Sequence, residues 1–285
     1  MNALQTLSHT PAEFLTQRYF PVDSRELVQQ FESAGFYLAD QAKARLKKPI
    51  DPRLTSLWGS YDATKQAELV SKFDKRNTRY LARLGHEKHY LKFKSDTVGL
   101  RAKGHDLFVR VSNSYDGSSS LTVSLDMLRL VCLNGLVAPR NMFSQTIKHS
   151  NKNILPRTIE AVYKILSQKD ILDEQIERMS STRLNLDEKE YLIDQMFRIR
   201  FPDSELILDS AKKLDLLKPI RQEEMVDNLY QNFNTLQEKL TRGVRVGLLD
   251  ANGNPISRKI REVKSQLTAD DFNDKSWQLA MTLAS

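Results

Sequence analysis

Residues 105–137 read HDLFVRVSNSYDGSSSLTVSLDMLRLVCLNGLV, and the fold turns on how this stretch is parsed. Phe108 to Ser112 alternates apolar and polar side chains, and Leu121 to Leu125 does so again. Between them Asn113 to Ser119 is dense in turn formers. Two alternating runs around such a tract predict a β-hairpin with Asp116 and Gly117 at the bend, and Asp116 setting that bend by accepting backbone hydrogen bonds. The period then changes. Leu125, Leu128, Val131, Cys132 and Leu136 recur at helical spacing, and Asn134 with Gly135 forms a helix stop. A hairpin feeding a buried helix is therefore expected.

Working outward, Ser24 is the expected cap of a helix carrying Leu27, Val28 and Phe31 on one face and ending at Gly35. A second expected helix start is Thr10 with Pro11. Residues 62–83 predict one or two amphipathic helices with a basic polar face. His89 to Phe93 predicts a strand with Tyr90 and Lys92 on one side and Leu91 and Phe93 on the other. Phe143 to His149 predicts another. Beyond Pro156 helical spacing dominates, broken by a loop or hairpin with Gly253 near its tip. The expected class is α+β: a mostly antiparallel twisted sheet with helices packed on one face, plus a helical C-terminal half. Residues 1–155 form the expected sheet core, with a basic insertion at about 50–84. An acidic helical segment follows at 156–227, and residues 228–285 contribute a helix, loop and helix that pack back on the core.

The chain has 285 residues, enough for one large core or a core with a satellite. No apolar run reaches the roughly 18 residues of a membrane helix, so no membrane partner is expected. The opening residues lack a secretory pattern, and the single cysteine, Cys132, excludes an intramolecular disulfide, so a cytoplasmic setting is expected. Net charge is +7, yet residues 166–227 carry 10 cations against 15 anions, a net −5, so the rest of the chain holds +12. A basic body beside an acidic segment points to a polyanion partner.

Asn113 to Ser119, Arg129 to Val137, Val22 to Phe36, His86 to Phe93, Ile147 to His149 and Asn232 to Gly243 form a series of separate motifs. Together they resemble a phage- and plasmid-associated family, DUF932, which has no settled activity. The resemblance covers roughly residues 20–48, 85–165 and 228–285. It implies a mobile-element setting and leaves the chemistry to the residues.

The chemistry-bearing residues do not compose a recognisable catalytic set. His86, His89 and His149 with Asp116 are an imaginable metal site, but nothing in their spacing fixes a geometry, and no cofactor is expected. Structural roles are expected for Asn113, Asp116, Gly117, Asn134 and Gly135, and for Glu238 and Arg242, which are four apart as in a helical ion pair. Cys132 is expected to be a small buried thiol. The strongest binding signal is cations interleaved with aromatics: Lys75, Arg76 and Arg79 on one stretch, and Lys88, Tyr90, Lys92 and Lys94 on another. His89, His149 and Arg129 are added as candidate phosphate contacts. The expected function is non-enzymatic binding of nucleic acid, single-stranded DNA above all, in recombination, replication or strand annealing, by a chain that forms homo-oligomers. Two alternatives remain. One is an interaction protein that inhibits a host defence complex, with residues 166–227 contacting a host or phage protein. The other is a metal-dependent nuclease or modifying enzyme built on His89, His149 and Asp116.

Overall fold

The structure, a computed structural model, describes residues 19–45, 51–82, 87–102, 105–115, 117, 119–129, 135–137, 143–150, 153–202, 207–219, 226–250, 253–263 and 266–285. The protein is α+β. Its larger sheet comprises β1 (Tyr37–Arg45), β2 (Glu87–Lys94), β3 (Arg101–Ala102), β4 (His105–Ser114), β5 (Leu121–Arg129), β6 (Gly135–Val137) and β7 (Ser144–Ile147). The strand order is β1-β2-β4-β5-β6, with β3 pairing to β4 and β7 to β5. Every described register in it is antiparallel. A small antiparallel sheet has the order β10-β9-β8, from β8 (Ile207–Leu208), β9 (Arg245–Leu249) and β10 (Pro255–Lys259). The helices are α1 (Ser24–Ser33), α2 (Ala63–Ala82), α3 (Ile154–Leu166), α4 (Lys169–Ser181), α5 (Leu186–Arg200), α6 (Leu229–Arg242) and α7 (Gln266–Leu283). The helical C-terminal half also holds three short strands, and the stretch 207–217 contains β8 and a 3-10 turn at Lys213–Leu217.

Two compact units divide the chain. The first comprises Met1–Gly99, Val109–Val123 and Gln145–Tyr163. Its core follows from the period of β2: His89, Leu91 and Phe93 are buried, while Lys88, Tyr90, Lys92 and Lys94 on the other face are half-buried. Phe31 of α1 stacks on Phe93 with centroids 4.0 Å apart and meets Phe36 edge-on at 5.7 Å. Burying each such ring stabilises the unit by about 1.5–3 kcal/mol. The cap of α1 is Asp23, whose carboxylate accepts from the Arg25 amide at 2.8 Å. The expected cap, Ser24, is fully buried instead, because its hydroxyl has partners on β2 and β4.

The second unit comprises Leu100–Phe108, Ser124–Ser144 and Lys164–Ser285. It is built around α6, in which every residue from Leu229 to Glu238 is buried. Phe233 meets Trp277 of α7 at 5.8 Å in a perpendicular pair, and the Trp277 indole donates to Gln175 Oε1 of α4 at 2.9 Å.

One expectation is overturned. Residues 125–129 continue a strand rather than opening a helix, and Gly135 begins β6 rather than ending a helix. Leu121, Val123, Leu125 and Met127 are buried, but so are Ser124 and Asp126. The apolar/polar alternation in fact continues to Met127, and the helical spacing of Leu125, Leu128, Val131 and Leu136 competed with it. The hairpin itself is present: β4 and β5 are neighbours, and Gly117 between them has φ +65°, a left-handed conformation that favours glycine. Thr10, Pro11, Asp116, Cys132 and Asn134 lie outside the described residues.

Candidate nucleic-acid interface

Residues 51–82 make an arm on the first unit. Two 3-10 turns, Pro52–Leu54 and Trp58–Ser60, lead into α2. Asp62 caps the helix by accepting from the Lys65 amide at 2.8 Å. Gln66 ties it back to the turns, its side-chain amide donating to the carbonyls of Trp58 and Tyr61, each at 3.0 Å. No residue from 51 to 77 is buried; Leu69, Val70 and Phe73 are only half-covered. Amphipathic spacing therefore made the helix without giving it a core to enter.

The charge on α2 is lopsided: five cations and two carboxylates, a net +3. Glu68 takes up two of the cations, Lys72 and Lys65, and these hydrogen bonds hold its carboxyl down at about 2. Lys75 and Arg76 are exposed. Lys75 stands on an open groove of about 680 Å³ that Trp58, Ala67 and Val70 line with apolar surface and that Asp74 also borders. Arg79 lies in α2, with its side chain outside the described residues.

The β2 candidates are arranged as their alternation requires. Lys88, Tyr90, Lys92 and Lys94 share one face, where Lys92 stands opposite Arg110 and Tyr90 opposite Ser112 of β4. Arg110 is buried, so this face is a covered one and not an open track.

His89 points the other way into a buried polar cluster. The Ser24 hydroxyl accepts from Tyr115 OH at 3.0 Å and from Asn113 Nδ2 at 3.1 Å. Its own proton therefore goes to His89 Nδ1 at 2.9 Å, which sets the Nε2–H tautomer of that ring. Asn113 Nδ2 also reaches the Val22 carbonyl at 2.7 Å. His149 is buried too. A carbonyl only accepts, so His149 Nδ1 carries the proton it gives to Phe20 O at 2.9 Å. The Phe20 amide returns a bond to the His149 carbonyl at 2.8 Å, and Tyr19 stacks on the ring at 4.6 Å. Burial pushes the His149 pKa down, against the smaller upward pull of the Phe20 carbonyl. His89 thus ties the first residue of α1 to β2, and His149 holds the segment before α1.

Among the described residues no three His, Cys, Asp or Glu side chains are placed to share a metal. His86 and Asp116 fall outside those residues. Arg129 ends β5, with its side chain outside the described set. Glu238 and Arg242 pair along α6 at 3.4 Å. In the acidic segment, Glu190 and Asp194 bracket Lys213 at 2.7 and 3.1 Å, and Asp227 holds Lys189 at 2.7 Å. The sequence reading of α6 named its apolar residues and the Glu238–Arg242 pair and said nothing of its remaining polar side. That side is buried, with Gln237 donating to Asn273 of α7 at 2.9 Å and Tyr230 hydroxyl bonded to His105 Nε2 at 2.7 Å.

Two curated proteins of Escherichia coli (strain K12), UPF0380 protein YfjQ and UPF0380 protein YafZ, are each 25% identical to this chain over 171 residues. The alignment covers 60% of this chain and 60% of each relative, so less than two thirds of either relative is represented. No solved structure matches the chain significantly. The family profile described as "Domain of unknown function (DUF932)" matches residues 59–275, which takes in α2 and both flanks of the β4–β5 hairpin. With well over half its length matched, the chain belongs to the DUF932 family.

Proposed function

We propose that the protein captures single-stranded nucleic acid, DNA by preference, on the arm of residues 51–82, without making or breaking a bond. The observation that carries this reading is an exposed basic helix presenting Lys75 and Arg76 beside a groove that contains the Trp58 ring. Lysine and arginine hold phosphates and release counterions. An indole stacks an unpaired base whatever its identity, contributing about 1–3 kcal/mol per base. A duplex keeps its bases stacked inward and offers the indole nothing, which is why a single strand is the preferred ligand. Holding strands open in this way suits recombination, replication or annealing in a mobile element, and several chains along one strand would lengthen the footprint.

A labelled oligonucleotide titrated across a salt series tests the proposal. Affinity is expected to fall steeply with salt. The double variant K75E/R76E should weaken binding and flatten the slope of log affinity against log salt by about 1.4, the single-strand value for two lost phosphate contacts. Its thermal unfolding should match the parent, since both side chains are exposed. Absence of binding at low salt, or full-strength binding by the variant, would overturn the reading.

A further inference from the structure

A cavity of about 710 Å³ lies in the second unit, where the end of α5 meets β10 and the residues after it. Its described lining is unusual in charge: Arg200, Arg258, Lys259 and Arg261 with no carboxylate. The remaining walls are Phe197, Phe201 and Ile260. The two phenylalanine rings lie 4.9 Å apart, tilted by 49°. Arg200 is half-buried and its guanidinium sits over the Phe201 ring, 4.7 Å from the centroid. It donates to the carbonyls of Leu240 at 3.3 Å and Arg261 at 3.4 Å. Burial lowers its pKa, and among the described residues no carboxylate offsets that. A half-buried cation held by neutral carbonyls gains from an incoming anion.

The wall is built to stay in place. The Ile260 amide donates to Val244 O at 2.7 Å and the Val263 amide to Thr241 O at 2.8 Å. Gly243, with φ +97°, lets the backbone of Ile260 come so near that a Cβ would stand 2.7 Å from its carbonyl oxygen. Arg258 and Arg261, on either side of that anchor, are exposed at the mouth.

We infer that this cavity binds a nucleotide, its phosphate held by Arg258 and Arg261 with Arg200 behind them, and its base against Phe201. Guanidinium groups match phosphate oxygens in pairs. A flat ring packs on phenylalanine. The volume falls within the range of small-ligand sites. Neither family membership nor the arm assigns this site, and the inference does not depend on strand capture.

Calorimetric titration of the full chain with AMP, ATP, adenosine and inorganic phosphate is the test. AMP and ATP are expected to bind saturably, and more tightly than adenosine or phosphate. R261E should weaken AMP by about tenfold or more, the value of a lost charge-assisted bond. F201L, which keeps apolar bulk and removes the ring, should weaken AMP by more than it weakens phosphate. K75E/R76E should bind AMP like the parent, which separates this site from the arm. The inference is overturned by absence of AMP and ATP binding, by phosphate binding as tightly as AMP, or by parent-like AMP binding in both folded pocket variants.

Discussion

Ser24 shows how much one buried hydroxyl can organise. It takes two hydrogen bonds and gives one, joining α1 to β2 through His89 and to β4 through Asn113, with Tyr115 alongside. Sequence reading placed it as a cap because serine before an apolar helix face is the usual signal; Asp23, one residue earlier, satisfied the helix and left Ser24 for the interior. Ser24→Ala removes three buried hydrogen bonds, so urea unfolding should show a loss of about 1–3 kcal/mol, with oligonucleotide and AMP binding unchanged. His149 adds a pH dependence. Its folded pKa lies below the ordinary histidine value of 6.5. As pH falls the unfolded chain therefore takes up the proton first, so stability contributed by the neutral ring is complete above 6.5 and declines below it, toward the lowered folded value. Urea midpoints measured from about pH 8 down to about pH 5 should fall more steeply for the parent than for His149→Asn. Parallel curves would mean that the ring ionises as freely folded as unfolded.

At the scale of elements, legibility tracked how one-sided each environment is. The alternation of β2 was readable because Leu91 and Phe93 face a core and Lys92 and Lys94 do not. In β5 the alternation runs unbroken from Leu121 to Met127, but Leu125, Leu128, Val131 and Leu136 also fall at helical spacing, and that second pattern cut the strand short at Leu125. For α6 the misleading signal was polarity itself. Gln231, Asn232, Asn234, Gln237 and Glu238 have the composition of a solvent-facing side, yet all are buried, because α7 and other neighbours supply polar partners. The cavity had no sequence signal at all: Arg258 and Arg261 stood out as a basic cluster, but Phe197, Arg200 and Phe201 are some sixty positions away. Gly243 is where the backbone of that site packs most closely. Gly243→Ala combines a left-handed φ with a Cβ driven into Ile260 O. It should cost about 1–3 kcal/mol in urea unfolding and weaken AMP binding, whereas Gly59→Ala, which meets nothing within 4 Å, should do neither.

At the scale of the whole molecule, the arm is an excursion from a hairpin. Arg45 and Glu87 are direct cross-strand partners, so the chain leaves the sheet after β1 and returns to the same place to begin β2. The register needs only a tight turn there, and two residues of the Asn-Gly type make one. The arm's described side chains bury nothing fully from 51 to 77, so excising it removes little of the core. Replacing residues 46–86 by Asn-Gly should therefore leave a protein whose thermal midpoint lies within about 4 °C of the parent, the shift given by about 1 kcal/mol at this size. It should lose oligonucleotide binding and keep AMP binding. Loss of cooperative unfolding would make the arm part of the core after all. A folded product that still binds DNA would move the interface to the half-buried lysines of β2.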